Sequence, residues 1–230
     1  MSGRGAPGTL FGVLAASTLV FAWLAVGVEG RGPVVGVDNA VAAWLHTHAG
    51  GLATGVLSTV TQLGGASVLL GITVFAVLAL LLRRRLAHAA LMGAALAGGE
   101  ALNLALKAAF ERPRPQFSEP LATAAGFSFP SGHAMVSLTV YGALAFVVAA
   151  GVGSRRARVV VLGSAAALVI AIGFSRLYLG VHYVSDVVAA YCAGLAWLLL
   201  CTLGLLGASW IRERLTLARP TLLAEETPTT

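Results

Sequence analysis

Residues 131–151 read SGHAMVSLTVYGALAFVVAAG, a stretch whose only ionisable side chains are a histidine near its start and one tyrosine. About 20 mostly apolar residues suffice for a helix to cross a lipid bilayer. Five further runs of similar length and character lie on either side, at 9–28, 65–82, 86–106, 158–175 and 184–207. The sequence therefore predicts an all-α polytopic membrane protein, a bundle of six transmembrane helices.

Composition supports the same fold class. Of the 230 residues, 58% are hydrophobic and 10% are charged, with a mean hydropathy of +0.88. Soluble domains carry about 25% charged residues, and a domain of this size cannot bury so much apolar surface in one core. A soluble enzyme is therefore excluded. We expect a single membrane domain over 1–211 and a polar cytoplasmic tail over 212–230.

The first apolar run could be interpreted as a secretory signal peptide. Its length of about 20 residues exceeds the 7 to 15 of a signal-peptide apolar core. We therefore expect a retained first span.

Arginine placement predicts the orientation, because short cytoplasmic loops are rich in Lys and Arg. Six spans place five basic residues on one side, Arg31, Lys107, Arg112, Arg114 and Arg176. Ten fall on the other, Arg4, Arg83, Arg84, Arg85, Arg155, Arg156, Arg158, Arg212, Arg214 and Arg219. The second side is thus predicted to be cytoplasmic with both termini, in what we expect to be a bacterial plasma membrane. The same asymmetry explains most of the positive charge without nucleic acid.

A shorter amphipathic pattern lies between the first two spans. Val37, Val41, Trp44, Leu45 and His48 follow helical spacing, with Asp38 and Asn39 near the start. A helix in the outer interface and a structured loop both fit this pattern.

Polar residues gather on the predicted outer side. Lys107 is the only lysine of the chain and precedes Arg114-Pro115 by seven residues. The fourth span opens with Pro130-Ser131-Gly132-His133, a helix start able to hold an anion. Ser175-Arg176 then precedes His182, and Asp186 lies one helical turn beyond that histidine. Singly, these residues could be membrane anchors or helix caps, but anchoring does not require this whole set on one membrane side.

These three motifs, in this order, resemble the type 2 phosphatidic acid phosphatase family, the lipid phosphate phosphatases, which share their site with the vanadium haloperoxidases. Every quoted motif position matches, and the six-span layout extends the resemblance over most of the chain. The resemblance implies an integral-membrane phosphatase that removes phosphate from a lipid phosphomonoester or diphosphate.

The resemblance also implies a role for each motif residue. His182 is expected to attack phosphorus and form a phosphohistidine, oriented by Asp186, with His133 as general acid and then base. The phosphate is expected to bind to Lys107, Arg114, Ser131, Gly132 and Arg176. Neither a metal nor another cofactor is expected.

Residues outside the motifs suggest further hypotheses. Glu100 and Asn103 share a helical face with Lys107, so they could support that lysine or line a polar crevice below it; a protonated Glu100 hydrogen-bonded between helices is the alternative. Arg112 is interpreted as a headgroup contact. In the loop from Gln116 to Phe129, the phenylalanines could shape the lipid entrance or anchor the loop in the interface, namely Phe117, Phe127 and Phe129.

Two other functions fit the sequence less well. A vanadate-dependent haloperoxidase is disfavoured because the resemblance places that activity in soluble chains. A catalytically silent lipid-binding or transport protein would be expected to lose His133, His182 or Asp186, and all three are present. The expected partners are the bilayer and a lipid phosphate, with polyprenyl diphosphate, including undecaprenyl diphosphate, phosphatidylglycerophosphate and phosphatidic acid as substrate classes. The sequence leaves the oligomeric state open.

Overall fold

The structure is a computed structural model that describes the backbone of residues 6–225 and the side chains of residues 8–205 and 207. The described part of the chain is all-helical. Its eight helices are α1 (Ala6–Glu29), α2 (Pro33–Thr47), α3 (Gly51–Gln62), α4 (Ala66–Leu82), α5 (Leu86–Phe110), α6 (Gly132–Gly151), α7 (Arg155–Tyr178) and α8 (Val184–Glu225).

Five described helices are long and apolar enough to cross a membrane, and they coincide with five of the predicted spans. The predicted second span corresponds to α4, whose 17 residues follow α3 after a bend of 41°. The α3–α4 pair makes a sixth span if it is counted as one broken helix. The all-α, polytopic prediction is confirmed.

Helix α6 lies at the centre of the bundle. It packs against α4, α5, α7 and α8, while α1 packs along α8. The central cluster includes Met92, Ala95, Val140, Ala143 and Ile172, all of which are fully buried. Because other helices surround α6, apolar side chains on all of its faces can be covered by protein.

Two glycines allow close contacts between the spans. A Cβ on Gly173 of α7 would lie 1.8 Å from the Tyr191 hydroxyl oxygen of α8, and one on Gly98 of α5 would lie 2.1 Å from the Trp197 ring. Both aromatic residues donate to main-chain carbonyls of the facing helix, Tyr191 to Val169 and Trp197 to Ala94. Small residues at such contacts are typical of membrane helix pairs.

The short pattern after the first span is helical, so the structured-loop alternative is wrong. The buried residues of α2, however, are Asp38, Ala42 and Leu45, whereas Val37 and Trp44 of the proposed stripe are exposed. Helix α3 was not predicted.

The predicted tail from residue 212 begins within α8, which continues to Glu225. The side chains of Arg4, Arg212, Arg214 and Arg219, and residues 226–230, lie outside the described residues. The other arginines assigned to the cytoplasm lie in the α4–α5 turn and at the α6–α7 connection. Lys107 lies about 20 residues after the arginines of the α4–α5 turn, which is roughly 30 Å along α5. These arginines and Lys107 therefore lie at opposite ends of the bundle.

Candidate active site

The three motifs meet at one end of the bundle, around a cavity of about 670 Å³. The end of α5 supplies Lys107, the following loop supplies Arg114, and α6 begins at Gly132. The end of α7 and the turn before α8 supply Arg176 and His182. These residues and His133 all line the cavity. Helix ends that are distant in sequence thus place the cationic and histidine side chains together.

His182 is held by the carboxylate that the sequence predicted. Its Nδ1 lies 3.3 Å from Asp186 Oδ2, and both side chains are buried. Arg114 Nη1 lies 3.0 Å from the other ring nitrogen, Nε2. Because a guanidinium can only donate, Nε2 must be the acceptor and Nδ1 carries the proton. The Nε2 lone pair is therefore the nucleophilic position of this ring.

The surroundings of His182 keep the ring neutral. Burial lowers its pKa to about 4; hydrogen bonding to Asp186 and the charge of that carboxylate oppose the shift, whereas Arg114 and Arg176 reinforce it. Burial also lowers the pKa of Arg114, against the attraction of Asp186, but an arginine remains charged in proteins. At neutral pH the site thus holds a neutral imidazole beside a cation.

Arg114 and Lys107 shape the loop above the cavity. Arg114 donates to the carbonyls of Ala125, Gly126 and Phe127 from one side and of Val181 from the other. Lys107 Nζ donates to the Phe127 carbonyl at 2.6 Å. These cations therefore hold the loop in a tight curve and line the same cavity.

Arg176 reaches the cavity from the last turn of α7. Its Nη1 donates to Thr61 Oγ1 at 2.8 Å, so α3 helps to orient the guanidinium. Its buried Nε has no hydrogen-bond partner within the described part of the chain. A bound anion would give this side chain the acceptor that it lacks.

The start of α6 brings backbone close to the cavity. Gly132 lies on the cavity wall, and a Cβ there would be 2.9 Å from Asn103 Nδ2. Ser131 is fully buried, and its N–H donates to the Asp186 carbonyl oxygen at 3.1 Å. Its Oγ, predicted to bind phosphate, has no partner among the described residues. Gly132, rather than Ser131, lines the cavity.

Glu100 and Asn103 also line the cavity, on the face of α5 that carries Lys107. Seven residues separate Glu100 from Lys107, which is about 10 Å along a helix. Leu96, about one turn before Glu100 on α5, also lines the cavity, as do Leu69 and Leu70 of α4. The cavity thus changes from cationic to acidic to apolar along α5.

Arg112 is not the exposed headgroup contact that the sequence suggested. It is 7% exposed and bridges two buried carboxylates, Asp38 Oδ2 at 2.8 Å and Asp186 Oδ1 at 2.7 Å. The hydroxyl of Ser128 donates to the other Asp186 oxygen, Oδ2. The sequence signals for this network were an arginine two residues after α5 and the single acid of α2.

The loop phenylalanines do not surround the cavity. Phe129 is fully buried against Phe21 and Phe110, and Phe117 stacks on His46. The loop residues on the cavity wall are instead small, namely Thr123, Ala124 and Ala125. The predicted role of Phe129 in shaping a lipid entrance is therefore wrong, because the ring packs between helices.

Comparison with known proteins assigns the family. The family model described as "PAP2 superfamily" matches residues 88–210, which include all three motifs. The chain belongs to the PAP2 superfamily.

This PAP2 protein also resembles individual characterised proteins. It is 34% identical over 142 residues to phosphatidylglycerophosphatase B of Bacillus subtilis, covering 61% of this chain and 69% of that one. The crystal structure of a transmembrane PAP2-type phosphatidylglycerolphosphate phosphatase from the same species matches with a TM-score of 0.77 and 29% identity, over 82% of this chain and 94% of that one. Aquifex aeolicus LpxE shares the fold at a TM-score of 0.59 and 21% identity, over 72% and 94%. The chain is therefore a membrane lipid phosphatase of this family.

Proposed function

We propose that this phosphatase hydrolyses the terminal phosphate of a membrane lipid through a phosphohistidine on His182 Nε2. One observation carries the proposal: a buried histidine whose Nδ1 contacts a carboxylate turns its Nε2 into a cavity lined by Lys107, Arg114 and Arg176. This arrangement suits phosphoryl transfer, in which positioning and stabilisation of negative charge supply most of the catalysis.

The reaction has two displacements. The Nε2 lone pair attacks phosphorus while the bond from phosphorus to the leaving oxygen breaks and His133 donates a proton to that oxygen. The imidazolium formed on His182 is stabilised by Asp186. His133 then removes a proton from water, the resulting hydroxide attacks phosphorus, and the N–P electron pair returns to Nε2.

Binding the phosphate requires Arg114 to turn partly away from Nε2, which it now contacts. We propose that its guanidinium, the Lys107 ammonium and Arg176 Nε move onto the phosphoryl oxygens. The Gly132 N–H, at the positive end of α6, is placed to complete the phosphate site. Ser131 Oγ, which is buried and has no hydrogen-bond partner among the described residues, would need a rotamer change to contribute.

Phosphatidylglycerophosphate is the substrate we propose first, because the relative matched at 34% identity is a phosphatidylglycerophosphatase. Phosphatidic acid and polyprenyl diphosphates such as undecaprenyl diphosphate carry the same terminal group. We further propose an outward-facing site with both termini in the cytoplasm, an orientation supported by the arginine asymmetry of the loops.

We propose that Glu100 and Asn103 form the polar crevice below the phosphate, where they face the part of the lipid that follows the reacting group. A Glu100→Gln variant should then change the ratio of turnover among lipids with different headgroups. Unchanged turnover and unchanged lipid preference would exclude this role, leaving a hydrogen bond between helices.

The function is tested by phosphate release from phosphatidylglycerophosphate, phosphatidic acid, undecaprenyl diphosphate and a soluble phosphomonoester. Wild type, His182→Ala and His48→Ala are compared in EDTA; His48 is an exposed histidine directly after α2 and does not line the cavity. We expect release by wild type and His48→Ala, and none by His182→Ala. Release unaffected by His182→Ala would refute the nucleophile, and no release by any protein would favour a lipid-binding or transport role.

The intermediate is tested separately. Wild type mixed with radiolabelled substrate and quenched in alkali should retain label on protein, because phosphohistidine survives base and is lost in acid. Label that is absent from His182→Ala and present in His48→Ala supports the mechanism. Label that remains in His182→Ala would contradict it.

A further inference from the structure

Asp38 is a buried carboxylate for which neither the motifs nor the family match accounts. It lies on α2, outside residues 88–210 that match the PAP2 model, and is 1% exposed. Its Oδ1 accepts the Ser185 N–H at 2.9 Å, and its Oδ2 accepts from the Ser185 hydroxyl and from Arg112 Nη2. An ion buried to this degree is costly unless it is fully paired, and here the pairing comes from Arg112 and Ser185.

Arg112 connects this carboxylate with the active site. Nη2 donates to Asp38, and Nη1 donates both to Asp186 Oδ1 and to Ser185 Oγ. The guanidinium also lies over the Tyr183 ring, 4.2 Å from its centroid. Its position is therefore set from one side by Asp38 and from the other by the carboxylate that orients His182.

The charged groups follow one another in the order Asp38, Arg112, Asp186 and His182. Asp186 lies between Arg112 and His182, so an isolated Arg112 would offset much of the negative charge that Asp186 presents to the imidazole. Asp38 balances Arg112 on its far side. Two carboxylates and one guanidinium carry a net charge of −1, which becomes zero when the imidazole of His182 acquires its positive charge in the phosphohistidine.

We propose that Asp38 is a positioning residue for the phosphatase reaction, which holds Arg112 in place and balances its charge so that Asp186 remains an effective anionic partner of His182. This inference rests on the proposed function of His182. It assigns to α2, before the family-matched region, a part in the chemistry. Asp38 itself is not among the described residues that line the cavity.

The pH dependence of the reaction reports this role. The charged and titratable groups around His182 come from every element packed on it: Lys107 of α5, Arg112 and Arg114 of the loop, His133 of α6, Arg176 of α7, Tyr183 of the turn and Asp186 of α8. Removing the charge of Asp38 removes none of these groups. It makes the surroundings more positive, so protonation of His182 should require a lower pH.

The experiment compares Asp38→Asn with Asn39→Ala, a change at the exposed neighbouring residue of α2. Asp38→Asn should lower kcat about tenfold or more, the scale known for loss of the outer partner of a metal-bound histidine, with little change in KM. The acidic limb of its kcat profile should move to lower pH. Asn39→Ala should match wild type in kcat, KM and the acidic limb. Asp38→Asn with wild-type kcat and an unmoved limb would overturn the proposal.

Two further variants keep the test decisive. Inactive wild type, or an active His182→Ala, would refute the proposed function itself, whereas active wild type beside inactive His182→Ala leaves only the role of Asp38 in question. If Asp38→Asn does not fold, Asp38→Glu is measured, which keeps the charge but displaces the carboxylate by one methylene. It should lower kcat without moving the acidic limb, and wild-type kcat in that variant would overturn the proposal.

Discussion

Replacing Asp186 by asparagine separates the charge of this residue from its shape. The two carboxylate oxygens accept hydrogen bonds from different donors. Oδ1 accepts from Arg112. Oδ2 accepts from the Tyr183 N–H at 2.8 Å, from the Ser128 hydroxyl and from His182 Nδ1. All four partners are donors. An asparagine must therefore turn its NH2 group toward a donor in either orientation.

The expected magnitude follows from these contacts. The less damaging orientation turns the NH2 toward Arg112 alone and keeps a neutral oxygen on His182. The imidazolium then loses its buried counter-charge, and the guanidinium loses one of its two carboxylate partners. The same substitution in the Ser-His-Asp triad of serine proteases lowers kcat about 10⁴-fold, which corresponds to roughly 5.5 kcal/mol of barrier. We expect a loss of about 10² to 10⁴-fold here.

The assay is the initial rate of phosphate release at saturating lipid and pH 7, with thermal unfolding measured on the same detergent preparations. Glu119→Gln serves as the control, because Glu119 is an exposed carboxylate of the loop after α5. That variant should retain wild-type kcat. A kcat of Asp186→Asn within threefold of wild type, in folded protein, would refute the orientation and charge roles given to Asp186.

Three further predictions concern packing, pH and inhibition. Gly173→Ala should destabilise the fold by about 1–3 kcal/mol through overpacking against the Tyr191 hydroxyl, whereas Gly163→Ala on the same helix, with nothing within 4 Å of its Cβ, should not lower the Tm; equal effects would contradict the packing. The pKa of His182 is lowered from 6.5 to about 4, so the unfolded chain binds more protons than the folded chain between these two pH values. Stability should therefore fall as pH drops from about 6.5 to 4. His182→Gln should flatten this part of the Tm profile, and a variant profile identical to that of wild type would refute the conclusion that the His182 ring is buried in its neutral form. Activity should survive EDTA, and vanadate should inhibit competitively as an analogue of the phosphoryl transition state; loss of activity in EDTA that Mg²⁺ restores, or no inhibition at high vanadate, would contradict the proposed phosphate site.

Much of the architecture could be predicted from the sequence because membrane helices obey a local rule. A span needs about 20 apolar residues wherever it occurs, so five span-length helices were visible as runs. The motif residues were visible for a related reason. Charged and histidine side chains are costly in a bilayer, and their clustering beside span ends indicated a common site before any contact was known.

The short helices were harder to predict. Helix α3 joins α4 at a bend, and its 12 residues are too few to read as a span. The stripe on α2 correctly indicated a helix, but the side that faces the protein carries Asp38. Apolar periodicity reports the buried face only when the opposite face meets water, and an interfacial helix can expose apolar side chains to lipid instead.

The sequence by itself determined that this chain is an α-helical membrane protein, which residues could carry phosphoryl transfer, and that they share one end of the bundle. Only the tertiary structure decided the contacts around these residues. It shows that Arg112 is buried between Asp38 and Asp186, that Phe129 packs between helices, and that Gly132 rather than Ser131 lines the cavity. These features depend on contacts between residues far apart in the chain, up to the 147 residues that separate Asp38 from Ser185. A buried ion pair is specified by its partners in space, and no spacing along one helix encodes them.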